Sequence, residues 1–230
     1  MVYLTGDTHR DFSRVNTFWQ RHPNLSSDDV IVVLGDAGIN HYGNYHDIAF
    51  KYTLRYPFKL FCIHGNHEMR PSKDIGYHEE QWQGGTVFVD EWFPNILFAK
   101  DGEVYDLDGR SAIVIGGAYS VDKSWRLANG AKWFTDEQPD EATKRAVETT
   151  LDARGWKVDF VLSHTCPAKS RPTWAFLPGL DESTVDTSTE EWLGTIEQRL
   201  TYQRWFCGHF HIDMRIDQLR FLYEDVISLN

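Results

Sequence analysis

The sequence predicts an α/β fold in which strands buried on both faces alternate with amphipathic helices. Three observations carry that expectation. Apolar runs of strand length recur along the chain, several of them continuous rather than alternating. Stretches with helical spacing fall between them. Most of the runs end on Asp, His or Asn.

The first run, "VYLTG" (2–6), ends on Asp7 and His9. Phe12, Val15 and Trp19 then follow i, i+3, i+7, which predicts a helix. "VIVVLG" (30–35) ends on Asp36. Tyr45, Ile48, Ala49 and Tyr52 predict a second helix with that apolar face turned inward. "FKLFCIHG" (58–65) ends on Asn66 and His67, and "SAIVIGG" (111–117) runs into "GGAYSVDKSWR" (116–126). That last stretch reads as a loop, either lining a substrate pocket or lying as ordinary surface. Thr143, Val147, Thr150 and Leu151, after Pro139, give another helical stripe. "DFVLSH" (159–164) ends on His164, and "WAFLP" (174–178) is a lid or core beneath a long loop. Ser188 and Glu191 are spaced as a capping box ahead of Leu193, Ile196 and Leu200. "RWFCGH" (204–209) ends on His209 and His211, and "HIDMRIDQLRFLYEDV" (211–226) reads as short strands turning at Asp217-Gln218.

No repeat or linker divides the chain, so residues 1–230 are expected to form one domain. The apolar share of 41% is that of a globular protein. No run approaches the ~18 apolar residues of a membrane helix. The N-terminus lacks the basic flank and apolar stretch of a signal peptide, so a cytoplasmic location is expected. Cys62, Cys166 and Cys207 are odd in number and far apart, which fits a reducing compartment. Lys plus Arg is 23 against 34 for Asp plus Glu, a net charge of −11. That balance argues against nucleic acid as a partner. It leaves a small phosphorylated substrate open, because bound cations reverse the sign locally. The oligomeric state is open as well.

Five strand ends therefore deliver Asp, His or Asn, and in open α/β sheets that edge is where ligands bind. These oxygen and nitrogen donors suit Mn, Fe, Zn or Co. In extended backbone, residues i and i+2 point the same way, so Asp7 with His9 and His209 with His211 would each share a pocket. Glycines before Asp7, Asp36, Asn66 and His209 fit a chain that turns or packs closely. One histidine alone would signify little, but five concordant strand ends point to a metal site.

The ordered motifs "GDTH" (6–9), "GD" (35–36), "GNHE" (65–68), "SHTCP" (163–167) and "GHFH" (208–211) resemble the signature of the calcineurin-like metallophosphoesterase superfamily. The resemblance implies a sandwich of two mixed β-sheets flanked by helices, with the site at the sheet rim. It implies that Asp7, His9 and His211 hold one divalent ion, that Asn66, His164 and His209 hold a second, and that Asp36 bridges them. Manganese is the foremost candidate, with iron, zinc, cobalt or nickel as alternatives. It further implies that His67 stands near the leaving group, oriented by Glu68. Two such ions about 3.5–4 Å apart clamp a phosphate ester and supply a bridging hydroxide. An imidazolium protonating the departing oxygen adds typically 10²–10⁴-fold, the role expected of His67.

The chain departs from the phosphoprotein phosphatases of this superfamily. Ile39 and Asn40 stand where those carry Asp-Arg, and His64 stands where they carry Arg. Arg10 replaces the usual Gly and is expected to bind substrate phosphate, as are Asn66, Tyr119 and Arg126. Cys166 is expected to be a packed thiol. Two alternatives remain, a phosphodiesterase or nuclease acting on nucleotides or nucleic acid, and a non-catalytic protein-binding module. The module would be expected to have eroded ligands, whereas all seven ligand positions and His67 are present.

Overall fold

The computed structural model describes residues 1–176 and 181–229. Its strands are β1 (Val2–Thr5), β2 (Val30–Val33), β3 (Lys59–Cys62), β4 (Tyr77–Trp82), β5 (Gly85–Asp90), β6 (Ile96–Ala99), β7 (Val104–Leu107), β8 (Arg110–Ile115), β9 (Phe160–Ser163), β10 (Arg204–Cys207), β11 (Met214–Ile216), β12 (Leu219–Phe221) and β13 (Ile227–Ser228). The helices are α1 (Ser13–Arg21), α2 (Tyr45–Lys51), α3 (Lys123–Asn129), α4 (Glu141–Ala153) and α5 (Ser188–Arg199). One sheet runs β13-β1-β2-β3-β6-β5-β4 and the other β11-β12-β10-β9-β8-β7. Each has a parallel centre and antiparallel edges, so both are mixed, as expected.

The continuous apolar runs reflect burial on both faces of each sheet. In β2, Val30 and Val32 join the cluster between the sheets, with Leu4, Phe61, Val114, Leu162 and Phe206. Ile31 and Val33 face the other way, against Phe12 and Val15 at the start of α1. The outer face of the second sheet is covered by Val147 and Leu151 of α4 and by Leu193 and Ile196 of α5. A nine-residue helix such as α1 is marginal alone, so these contacts are what hold it helical.

Register aligns the strand ends. Thr5 pairs with Val33, and Val33 with Cys62. In the other sheet Ile115 pairs with Ser163, while Leu162 pairs with Phe206, one residue earlier along both strands. The chain thus leaves both parallel centres on one rim.

The structure departs from expectation at several elements. Helix α2 is turned over: Tyr45, Ile48, Ala49 and Tyr52 are exposed, while Asp47 and Lys51 are buried. The Asp47 carboxylate accepts the amides of Tyr42 and Gly43 and the Arg10 guanidinium. Lys51 Nζ lies 3.0 Å from Asp90 Oδ2 and 4.4 Å from the centre of the Tyr77 ring. Two buried charges with partners therefore outweigh an apolar stripe that found none. Part of the expected 116–126 loop is helical, as α3. The region between 66 and 110 holds the strands β4 to β7, which were not among the expected strands. Helix α5 starts without the Ser188–Glu191 box, since Thr187 Oγ1 donates to Glu191 instead. The hairpin at Asp217-Gln218 does form, joining β11 to β12 with Ile216 opposite Leu219.

Removing one partner of a buried ion pair costs about 3–5 kcal/mol, because the other is left uncompensated. Lys51→Met is expected to lose stability in that range. The double change Lys51→Met with Asp90→Leu is expected to recover most of it, as a urea-denaturation double-mutant cycle would show.

Candidate metal centre

All seven residues expected as ligands converge at the rim. His9 Nε2 lies 2.9 Å from His211 Nε2, and these two stand 3.7 Å and 3.3 Å from Asp7 Oδ2. Beside them, Asn66 Oδ1 is 2.8 Å from His164 Nε2 and 3.1 Å from His209 Nδ1. Asp36 Oδ2 stands between the groups, 3.9 Å from His9 Nε2 and 3.7 Å from His164 Nε2. Asp7, His9 and His211 are close enough to share one cation, as are Asp7, Asp36 and His164.

The neighbouring strand ends orient these groups. Asp7 Oδ1 accepts the His209 amide, and Asp36 Oδ1 accepts the His67 amide, each at 2.8 Å. The opposite oxygens, Asp7 Oδ2 and Asp36 Oδ2, are buried and have no hydrogen-bond partner among the described residues. A buried carboxylate oxygen left so costs free energy that a cation would return. His164 Nδ1 donates to the Leu34 carbonyl at 2.8 Å, which leaves Nε2 as the lone-pair nitrogen facing the cluster. Asn66 Nδ2 donates to Ser120 Oγ at 2.9 Å, so the amide oxygen faces inward. The residues present therefore fit divalent ions.

The expectation that Asp7 and His9, and His209 and His211, converge through extended backbone is not met. His9, Arg10, Asp36, His209 and His211 have φ of 45°, 72°, 50°, 67° and 52°. The left-handed region costs roughly 1–2 kcal/mol for a residue with a Cβ. Sharp turns, not strand alternation, bring the side chains together. Thr8, between two of them, does point into structure, with its hydroxyl on the Ala37 carbonyl. Close approach is the glycines' contribution. A Cβ on Gly35 would lie 2.0 Å from His164 Nδ1, and one on Gly208 would lie 2.3 Å from Asp7 Oδ1.

The local charges follow the geometry. Burial pushes the Asp7 carboxyl up, but His164, His211 and His9 outweigh it and hold it well below the usual carboxylate range. Asp7 in turn lifts His211 above the ordinary histidine value. Burial, reinforced by His164, drops His209 well below it. Burial also lowers His67, opposed by Asp36 and reinforced by Arg126 and His9.

A pocket of about 370 Å³ opens beside the cluster, with Asp36, Asn66, His67, His209 and His211 along one wall. Tyr119 lines it, as expected for a substrate contact. Arg10 does not. Its guanidinium donates to Asp47, to the Gly38 carbonyl and to the His46 carbonyl, and it lies 4.1 Å over the Phe50 ring, so it ties the His9 turn to α2. Arg126 is likewise engaged, with Nε held by both oxygens of Asp122, and it is not among the lining residues. Glu68 does not orient His67: it is buried with Oε1 on the Ala37 amide, near those of Ile39 and Asn40, and burial pushes its carboxyl up to about 8. Arg171, Glu190 and Phe210 line the same pocket and carried no sequence signal for it. Of "WAFLP", Trp174 is exposed and Phe176 lines the pocket, while Leu177 and Pro178 lie outside the described residues. Cys166 is a packed thiol, buried under the second sheet.

A two-sheet α/β sandwich with carboxylates and imidazoles gathered at its rim is the architecture of a metal-dependent hydrolase. The family model described as calcineurin-like phosphoesterase matches residues 1–213, so the chain belongs to that family and is a phosphoesterase. Among solved structures, the protein TT1561 of Thermus thermophilus shares the fold, with a TM-score of 0.53 and 11% identity over 97% of this chain and 89% of that one. A phosphopantetheinyl hydrolase from Mycobacterium tuberculosis gives 0.41 and 16% over 96% and 87%. No curated protein compared with the sequence matches it. No helix among the described residues is long and apolar enough to cross a membrane.

Gly208→Ala is expected to lower divalent-metal affinity at least about 10-fold, because the new methyl displaces Asp7. Gly194→Ala in α5, where a Cβ meets nothing nearer than 3.9 Å, is expected to leave metal content unchanged and to stabilise by up to about 1 kcal/mol. Metal titration and thermal denaturation of the two variants check both.

Proposed function

We propose that the chain hydrolyses small phosphate esters at a dinuclear metal centre, with residues 1–230 acting as one domain. The observation that carries this is the placement of Asp36. Its one unbonded oxygen lies within 3.9 Å of an imidazole from each half of the cluster, as a bridging ligand requires. Asp7, His9 and His211 would hold one ion, and Asn66, His164 and His209 the other. Divalent ions there would supply Lewis-acid charge and a water acidic enough to act as nucleophile near neutral pH, manganese being the foremost candidate.

The chain's own residues do the rest. Asp7, held below the usual carboxylate range by its imidazole neighbours, supplies negative charge to the site. His67 reaches the pocket from the Asp36 side, and its ring nitrogens take no hydrogen bond from the described residues. It is therefore free to meet a leaving oxygen. A phosphate dianion entering the pocket would favour the imidazolium over the neutral ring, opposing the effect of burial. His67 would then donate its proton to the departing alkoxide. Ile39, Asn40 and His64 are buried, and none supplies a guanidinium to the pocket, which speaks against a phosphoprotein substrate. The pocket's modest volume and the acidic chain favour a small substrate over nucleic acid.

Asp36→Asn is expected to lose both ions, read by metal analysis of the purified protein. His67→Ala is expected to keep its metals, to slow alkyl phosphates by about 10²-fold or more, and to slow p-nitrophenyl phosphate much less. Equal slowing of both would remove His67 as the acid. A metal-loaded enzyme that cleaves bis-p-nitrophenyl phosphate but no monoester would move the assignment to diesters. A protein that binds no transition metal would overturn the proposal.

A further inference from the structure

The pocket extends beyond the metal cluster, and its far wall is chemically specific. Glu190, in the first turn of α5, is only 5% exposed yet lines the pocket. Its Oε1 accepts the Thr165 hydroxyl at 2.7 Å, which orients the carboxyl group. Its Oε2 is buried and has no hydrogen-bond partner among the described residues. An oriented, buried acceptor without a donor is costly unless something that enters the pocket supplies one.

The surroundings say what kind of donor. Arg171 lines the same pocket, and its Nη2 is also buried without a partner among the described residues. Arg171 also acts electrostatically on Glu190, so an incoming ammonium would meet repulsion from it where a neutral hydroxyl would not. Part of the pocket lining is apolar. Phe176 and Phe210 lie parallel, with ring centres 6.2 Å apart at 11°, next to Val121 and Ile212. His67, placed to protonate the leaving oxygen, opens into this same space.

We propose that this recess is the leaving-group subsite, and that it selects phosphate esters of alcohols with an apolar body ending in a hydroxyl, which donates to Glu190 Oε2. The inference rests on the phosphoesterase reading above and adds the substrate class. Glu190 would be a specificity-determining residue.

The test measures binding rather than turnover. Manganese-loaded protein is titrated calorimetrically with the 3- and 4-(hydroxymethyl)phenylphosphonates, their ethyl counterparts and their aminomethyl counterparts, none of which can be hydrolysed as an ester. At least one hydroxymethyl isomer is expected to bind about 10-fold or more tighter than its ethyl counterpart, the range of a hydrogen bond to a charged group. Glu190→Met is expected to abolish that preference. A smaller preference in the unaltered protein, tighter binding of the aminomethyl compounds, or a preference that persists in Glu190→Met would overturn the proposal. The measurement on unaltered protein does not depend on how the variant folds. Because no turnover is read, failure here is separate from failure of the hydrolase reading, which would appear as no cleavage of any ester.

Discussion

Two buried carboxylate oxygens, on Asp7 and Asp36, faced by imidazoles and by no backbone amide among the described residues, are the constraint around which the rest of this molecule is arranged. Each sits within 4 Å of two imidazole nitrogens, and each is aimed there because its sister oxygen is held by a backbone amide from another strand end. That arrangement needs parallel strands of level register in two facing sheets. It needs glycines where backbone passes ligand side chains, and turns sharp enough to enter the left-handed region. Charge and geometry here are one requirement, since a buried carboxylate is costly unless cations or imidazoles stand beside it.

Much of this was legible in the sequence. Continuous apolar runs marked strands buried on both faces, and the Asp, His and Asn residues just past them marked the rim. Those signals are local, and the fold then assembles them by register. What was not legible is what depends on partners far along the chain. Helix α2 reads as apolar toward the core, yet Asp47 and Lys51 turn inward because Arg10 and Asp90 wait for them. Arg10 looked free for a phosphate because nothing in its neighbourhood showed Asp47, 37 residues away. Glu190 was invisible for the same reason, its orienting partner Thr165 being 25 residues distant. Of the unexpected strands, β4, "YHEEQW", is largely exposed and polar, and β7 alternates buried with less buried residues, so neither shows as a continuous apolar run.

The site also shows a right argument for the wrong reason. Alternation along an extended chain correctly placed His9 beside Asp7, but the backbone there is a tight turn. Strand geometry would have aimed the pairs loosely. The left-handed turns fix them, at a conformational cost that the hydrogen bonds from His9, Arg10 and Thr8 to the Asp36 and Ala37 carbonyls offset.

Arg10 carries a consequence of its own. At φ 72° a glycine would sit without strain, and the arginine there is instead clamped to three groups on and before α2. A hinge position has become a strut. In terms of lifetime rather than affinity, a turn braced in this way opens only when α2 also lets go, and Lys51 ties α2 in turn to Asp90 at the end of β5. The turn that carries His9 is thereby braced by a neighbouring helix as well as by its own strand.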